Sequence, residues 1–129
     1  MSHLVDTDLV IDGLTGASDA LAHLTARVSE PLAISVISLG ELFEGVDDAD
    51  PAAGLEAIRL FISGYRRLGL TEDVMLIFAR LRRQLRRQGN VIPDLDLLIA
   101  ATALHYDLVL LTRNQRHFGR VPGLRLEIP

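Results

Sequence analysis

The segment from Ile92 to Leu104 combines two carboxylates, Asp94 and Asp96, with one of the most apolar runs of the chain. Pro93 cannot continue a preceding helix and is favourable at a helix start, where an acidic side chain complements the positive helix end. The pattern therefore predicts a buried helix that opens near Asp96. Taken alone, Asp96 is as readily a helix cap as a functional residue.

Continuous apolar runs elsewhere are typical of strands buried on both faces of a parallel sheet. The predicted strands are Leu4–Val5 and residues 32–38, 108–112 and 124–128. Helices are predicted at residues 7–14, 18–28, 39–45, 52–67 and 72–88. Because strands alternate with helices, we expect an α/β fold, with one domain over residues 1–129 and a central parallel sheet of about four to five strands flanked by helices on both faces.

Polar residues mark the ends of the predicted strands. Asp6 ends the first strand, Glu41 lies just beyond the second, and Thr112 and Asn114 end the third. Asp96 opens the helix that leads into that third strand. In parallel sheets the strands end at one edge, where ligands bind, so we expect these residues to share that edge.

The amino-acid composition excludes several classes of catalytic and metal site. The 129-residue chain has no Cys and no Lys, which excludes disulfides, thiolate catalysis, Cys-ligated zinc and Schiff-base chemistry. All 13 basic residues are Arg, which suits phosphate or carboxylate partners even at a net charge of −4, although genome base composition could equally explain the bias. The chain start lacks the features of a signal peptide, and no apolar run approaches the roughly 18 residues of a membrane span. We expect a cytoplasmic protein with no membrane contact.

Carboxylates gathered at one sheet edge would repel one another, and a divalent cation would relieve that repulsion. With oxygen ligands only, and His confined to four scattered positions, the expected metal is hard: Mg²⁺ or Mn²⁺. Such an ion can activate water and stabilise charge on a phosphoryl oxygen, so hydrolysis of a phosphodiester is the natural reaction.

Four segments in order resemble the motifs of the PIN domain, specifically the VapC-type toxin ribonucleases: Val5–Asp8, Ser38–Leu42, Asp96–Ala103 and Leu111–Phe118. The resemblance runs nearly end to end. It implies a Mg²⁺- or Mn²⁺-dependent endoribonuclease that is the toxin of a toxin–antitoxin module, cleaves RNA, is inhibited by a cognate antitoxin and forms a homodimer. Matched by position, the catalytic metal ligands are Asp6, Glu41 and Asp96, and Asp8 has a supporting position.

The fourth motif departs from the wider PIN pattern, which has an Asp near the end of that strand, whereas this chain has Asn114 and His117 in the loop. Asn is a weaker, neutral ligand, so one-metal catalysis becomes plausible. Thr112, Asn114 and Asp94 are assigned supporting roles. His117 is a less favoured general acid.

Arginines near the proposed site are candidates for RNA phosphate contacts, namely Arg113 and Arg116. Five further arginines, clustered between residues 80 and 87, are interpreted as a solvated helix end that complements the helix dipole.

Structural interpretations and two rival functions stay open. Ser38 and Glu41 have the spacing of a capping box, and Asp8 could be an N-cap. The Asp6-Thr7-Asp8 sequence also resembles the first motif of haloacid-dehalogenase-type phosphatases, with Asp6 as nucleophile, although such enzymes need a basic third-motif residue and usually a cap domain. A non-catalytic partner-binding module, with the acids as caps, is the other alternative.

Overall fold

Short parallel strands form the centre of the fold. The computed structural model describes residues 2–26 and 29–129, and within them five strands form one sheet in the order β3-β2-β1-β4-β5, with all neighbours parallel. The strands are β1 (His3–Val5), β2 (Ala33–Ser35), β3 (Arg66–Leu68), β4 (Val109–Leu111) and β5 (Leu126–Glu127). The helices in the described part are α1 (Thr7–Leu14), α2 (Ser18–Thr25), α3 (Val36–Glu44), α4 (Pro51–Phe61), α5 (Glu72–Gln88), α6 (Asp94–His105) and α7 (Gln115–Phe118).

Helices cover both faces of this sheet, as predicted. Successive strand side chains point to opposite faces, so Leu4 and Ala33 pack against α5, α6 and α7, while Val5 and Ile34 pack against α1 to α4. The α/β fold class is confirmed. None of the helices in the described ranges is long and apolar enough to cross a membrane.

The strand order reverses at β1. The chain builds outward from β1 to β3 on one side, then returns through α5 and α6 to place β4 on the other side of β1. In sheets of this kind, the crevice at the carboxyl ends of the strands on either side of the reversal is the usual ligand site. Here those ends carry Asp6 after β1 and Thr112 after β4.

The termini of α5 and α6 follow from their sequences. The Thr71 hydroxyl accepts a hydrogen bond from the Val74 backbone N–H at the start of α5, and Gly89 ends that helix with a φ of +70°, a conformation that favours glycine. Helix α6 begins at Asp94, two residues earlier than predicted, directly after Pro93.

Several predicted elements were wrong in extent. The strand predicted at residues 32–38 ends at Ser35 and the helix predicted at 39–45 begins at Val36, because the Ser35 hydroxyl accepts from the Ile37 backbone N–H and starts α3. The helix predicted at residues 52–67 ends at Phe61, and β3 begins at Arg66. This three-residue edge strand has two exposed arginines, so it lacks an alternating apolar pattern. The helix predicted at 18–28 corresponds to α2, and Val28 lies outside the described residues.

Candidate active site

Asp6 lies at the centre of the site, between β1 and α1. It is the N-cap of α1, where its Oδ1 accepts the Thr7 backbone N–H at 2.8 Å, and its Oδ2 accepts the Thr112 hydroxyl at 2.7 Å. Only 5% of Asp6 is exposed. Burial raises the pKa of its carboxyl from 3.8 to about 6, the two hydrogen bonds oppose that rise, and the negative charges of Asp8 and Asp96 add to it.

Glu41 is connected to Asp6 through the intervening residue Thr7. The Thr7 hydroxyl lies 2.7 Å from Glu41 Oε1 and 2.8 Å from the hydroxyl of Ser38. Ser38 is buried inside α3, two residues beyond the helix start, so the alternative capping-box interpretation of Ser38 and Glu41 is wrong. Thr7 and Ser38 were not predicted as site residues, although both lie inside the motifs that carried the resemblance.

Asp96 is the third residue of α6 and is partly exposed. Its Oδ2 lies 2.7 Å from His117 Nδ1, and the side-chain nitrogen of Asn114 lies 3.0 Å from the same Nδ1. When Asp96 is ionised it can only accept, so the proton of this contact then resides on His117 Nδ1. His117 therefore fixes the direction of the Asp96 carboxylate.

The loop after β4 holds this arrangement together. The Asn114 backbone N–H donates to the Thr112 hydroxyl at 2.9 Å, and Asn114 Oδ1 accepts the His117 backbone N–H at 3.2 Å as the N-cap of α7. Thr112 thus contacts Asp6 and His117 contacts Asp96, while Asn114 contacts both Thr112 and His117. The four-residue helix α7 carries His117 and so connects this loop to Asp96 of α6.

Other predicted residues lie apart from this centre. Asp8 is exposed in the first turn of α1 and is not its N-cap, but its charge acts on Asp6. Asp94 points to the surface, where the Arg82 guanidinium donates to both of its carboxylate oxygens at 2.9 and 3.3 Å. No side-chain contact of Asp94 with Asp6 or Asp96 is seen among the described residues that would support the role predicted for Asp94.

Arg113 is occupied by two ion pairs. Its Nη1 contacts Asp12 of α1 and its Nη2 contacts Asp19 of α2, each at 2.7 Å. Arg116 is exposed, with no ion pair to any residue of the described ranges. The structure thus favours Arg116 over Arg113 as a contact for phosphate.

The donor set of the site suits a hard cation. The available oxygens belong to carboxylates, hydroxyls and an amide, and the His117 imidazole is paired with Asp96 through Nδ1. The negative charges of Asp8 and Asp96 act on Asp6. Within residues 2–26 and 29–129, no three acidic or histidine side chains are already positioned around one point as metal ligands. Glu41 and Asp96 are turned toward Thr7 and His117, so these two carboxylates would have to turn to share a cation with Asp6.

Comparison with known proteins identifies the family. The PIN domain family model matches residues 3–124. The chain is 37% identical to Ribonuclease VapC19 of Mycobacterium tuberculosis over 124 residues, which is 95% of this chain and 96% of that protein. It resembles the crystal structure of VapBC2 from Rickettsia felis bound to a DNA fragment from their promoter, with a TM-score of 0.90, 26% identity and 98% coverage of both chains.

A third similar structure is a toxin-antitoxin complex from Klebsiella pneumoniae, with a TM-score of 0.80, 29% identity, and coverage of 99% of this chain and 98% of that one. These matches confirm the resemblance that the four sequence motifs indicated. The chain belongs to the PIN-domain family, among the VapC ribonucleases.

Proposed function

We propose that this chain is a metal-dependent endoribonuclease, the toxin of a toxin–antitoxin module, in which Asp6, Glu41 and Asp96 hold one Mg²⁺ or Mn²⁺ ion. The observation that carries the metal site is the position of Asp6, which is buried at the carboxyl edge of the sheet within reach of the charges of Asp8 and Asp96. Burial and the neighbouring acids both disfavour the ionised form of Asp6, and a bound cation would offset its negative charge.

Each residue of the proposed site has a separate role. Asp6 supplies the buried carboxylate, and hydrogen bonds from Thr7 and Thr112 favour its ionised form. His117 orients Asp96, Asn114 holds His117 by accepting its backbone N–H, and Thr7 orients Glu41. Because Asn114 caps α7 and replaces the fourth acid of the wider family, three acids remain, which favours a single cation.

The reaction is hydrolysis of an RNA phosphodiester. When bound, the cation lowers the pKa of water and offsets negative charge on the phosphoryl group. The oxygen of water bonds to phosphorus, one phosphorus–oxygen ester bond breaks, and the leaving oxygen takes up a proton. One RNA fragment then ends in a phosphate and the other in a hydroxyl.

The partners proposed for this chain follow from its relatives. VapBC complexes and a toxin-antitoxin complex are among its structural relatives, so we propose that a cognate antitoxin binds this chain and inhibits it. We also propose that residues 1–129 act as one domain, that the chain forms a homodimer, and that it acts in the cytoplasm.

The test is RNA cleavage by the purified chain. We expect cleavage of single-stranded RNA with Mg²⁺ or Mn²⁺, none with EDTA, and strong loss in Asp6→Asn. Metal-independent cleavage would contradict the proposal, and absence of cleavage under every condition would favour the non-catalytic alternative. Family membership disfavours the phosphatase alternative, and a covalent phosphate on Asp6 during turnover would reinstate it.

A further inference from the structure

A strongly basic surface lies at the C-terminal end of α5. Between Val74 and Pro93 the chain has no acidic residue, although its net charge is −4. This surface, called here the basic end of α5, consists of Arg80, Arg82, Arg83, Arg86 and Arg87.

The basic end of α5 lies beside the first turn of α6, the turn that also carries Asp96. Five residues separate α5 from α6, and α6 leads to the start of β4, so the first turn of α6 and the last turn of α5 lie toward the carboxyl edge of the sheet. Arg82 contacts Asp94, which shares the first turn of α6 with Asp96 but lies on a different side of that helix. Arg86 lines a cleft with Val91 and Asp94. A shared edge thus holds both the acids and the arginines.

Four of the five arginines are available to a ligand. Arg82 is paired with Asp94, whereas the other four are exposed and form no ion pair with any residue of the described ranges: Arg80, Arg83, Arg86 and Arg87. The opposite face of α5 packs into the core through Val74, Leu81 and Leu85.

The helix dipole does not account for this cluster. Its effect is confined to the last turn, which contains Arg86 and Arg87 but neither Arg80 nor Arg83. Four exposed cations over eight residues repel one another, so a polyanionic ligand would relieve that repulsion. At 1.5 Å per residue they extend over about 10 Å, roughly the length of three nucleotides in a stacked strand.

We propose that the basic end of α5 binds the RNA backbone on one side of the scissile phosphate, and so holds the substrate strand against the acids at the sheet edge. This inference rests on the proposed ribonuclease function. The contacts are to phosphate, because the four free guanidiniums offer planar, charged donors.

The test is RNA binding by a triple variant with a matched control. Arg83→Gln, Arg86→Gln and Arg87→Gln are combined in one protein, and Arg59→Gln, Arg66→Gln and Arg67→Gln in the other. The control arginines are also exposed and lie around the end of α4 and in β3, so both proteins lose the same charge. Fluorescence anisotropy with labelled single-stranded RNA, over a series of NaCl concentrations, gives affinity and salt dependence.

We expect the α5 triple variant to bind RNA at least about tenfold more weakly at low salt, with the slope of log affinity against log salt reduced by about 2. The control is expected to change affinity less than about threefold by loss of general charge. Equal effects in the two triple variants, or loss of duplex DNA or antitoxin binding without loss of RNA binding, would overturn the inference.

Two further measurements keep the outcomes distinct. Thermal unfolding checks that both proteins fold, and the single variants Arg83→Gln and Arg87→Gln replace the triple variant if it does not. Cleavage is followed in parallel. If the wild type binds RNA through α5 but does not cleave it, the proposed function is contradicted and this inference is not. If the wild type cleaves RNA and the α5 variants bind RNA as the wild type does, this inference is contradicted and the proposed function is not.

Discussion

The hydroxyl of Thr112 donates a hydrogen bond to Oδ2 of Asp6 at 2.7 Å, and this contact joins the ends of β1 and β4 where the strand order reverses. Both residues are buried. The same hydroxyl accepts from the Asn114 backbone N–H, so it also positions the loop that carries His117. An uncharged threonine thereby lowers the pKa of Asp6 and positions the loop whose His117 contacts Asp96.

Replacing this hydroxyl should shift the pH dependence of cleavage. The Thr112 hydrogen bond lowers the pKa of Asp6, so Thr112→Val should raise that pKa further and require a higher pH for ionisation. We expect the acidic limb of kcat/KM at subsaturating Mg²⁺ to move up by about one pH unit, the equivalent of about 1.4 kcal/mol. Thr102→Val, which removes a hydroxyl that donates to the Leu98 carbonyl within α6, is the control. An unshifted profile in Thr112→Val would contradict the role given to this contact.

Neutralising Asp6 should stabilise the metal-free protein at neutral pH. The pKa of Asp6 is raised on folding, so its contribution to stability is present below pH 3.8 and is lost as pH rises through about 6. We expect Asp6→Asn, which keeps the helix cap, to be about 2 kcal/mol more stable than wild type at pH 7.5 in EDTA. That advantage should disappear near pH 4 and shrink when Mg²⁺ is added.

Thermal and urea unfolding measure this difference, with the exposed Asp48→Asn as control. A destabilised Asp6→Asn protein at pH 7.5, or an advantage independent of pH, would contradict the assigned pKa.

His117 should act through Asp96 on metal affinity. His117→Ala removes the donor 2.7 Å from Asp96 Oδ2, and loss of a residue that orients a ligand typically weakens metal binding by roughly 10- to 100-fold. We expect the Mg²⁺ concentration for half-maximal cleavage to rise accordingly, with partial recovery in His117→Gln, whose amide can still donate. His105→Ala, at the far end of α6, should behave as wild type. An unchanged Mg²⁺ requirement in His117→Ala would count against this role.

Arg113 and Arg116 should differ in what they contribute. Arg113 pairs with Asp12 and Asp19 at the surface, so Arg113→Gln should cost at most about 1 kcal/mol of stability and change RNA affinity little. Arg116→Gln should leave stability unchanged and lower the salt slope of RNA binding by about 0.7, as expected for one lost phosphate contact. Unfolding and anisotropy measurements on both variants test this, and the reverse pattern would be inconsistent with the ion pairs.

Features of the fold could be predicted from the sequence where a local pattern of residues also determines their position in the fold. Apolar runs that end in Asp6 or Thr112 predict both the strand and the sheet edge, because parallel strands end on the same side. The α5 boundaries followed from Thr71 and Gly89, whose side chain and backbone act on the adjacent turn. Family motifs then predicted that Asp6, Glu41 and Asp96 act together.

Contacts between distant residues could not be predicted in this way. The Thr7–Glu41 contact spans 34 positions, and His117 reaches Asp96 over 21. Strand β3 depends on pairing with β2 rather than on its own residues, which include two exposed arginines. Asp94 and Asp96 are alike in sequence, yet only the rotation of the helix decides that one meets Arg82 and the other meets His117.

Because Asp94 and Asp96 differ in this way, a comparison of the two tests most directly which acids are catalytic. Mg²⁺-dependent RNA cleavage is compared between wild type, Asp96→Asn and Asp94→Asn, which make the same change two residues apart. We expect Asp94→Asn to cleave within about threefold of wild type, because the Arg82–Asp94 pair that it loses is exposed, and Asp96→Asn to be slower by at least about 100-fold. Equal cleavage by Asp96→Asn and wild type, or a larger loss in Asp94→Asn, would contradict the assignment of the catalytic acids.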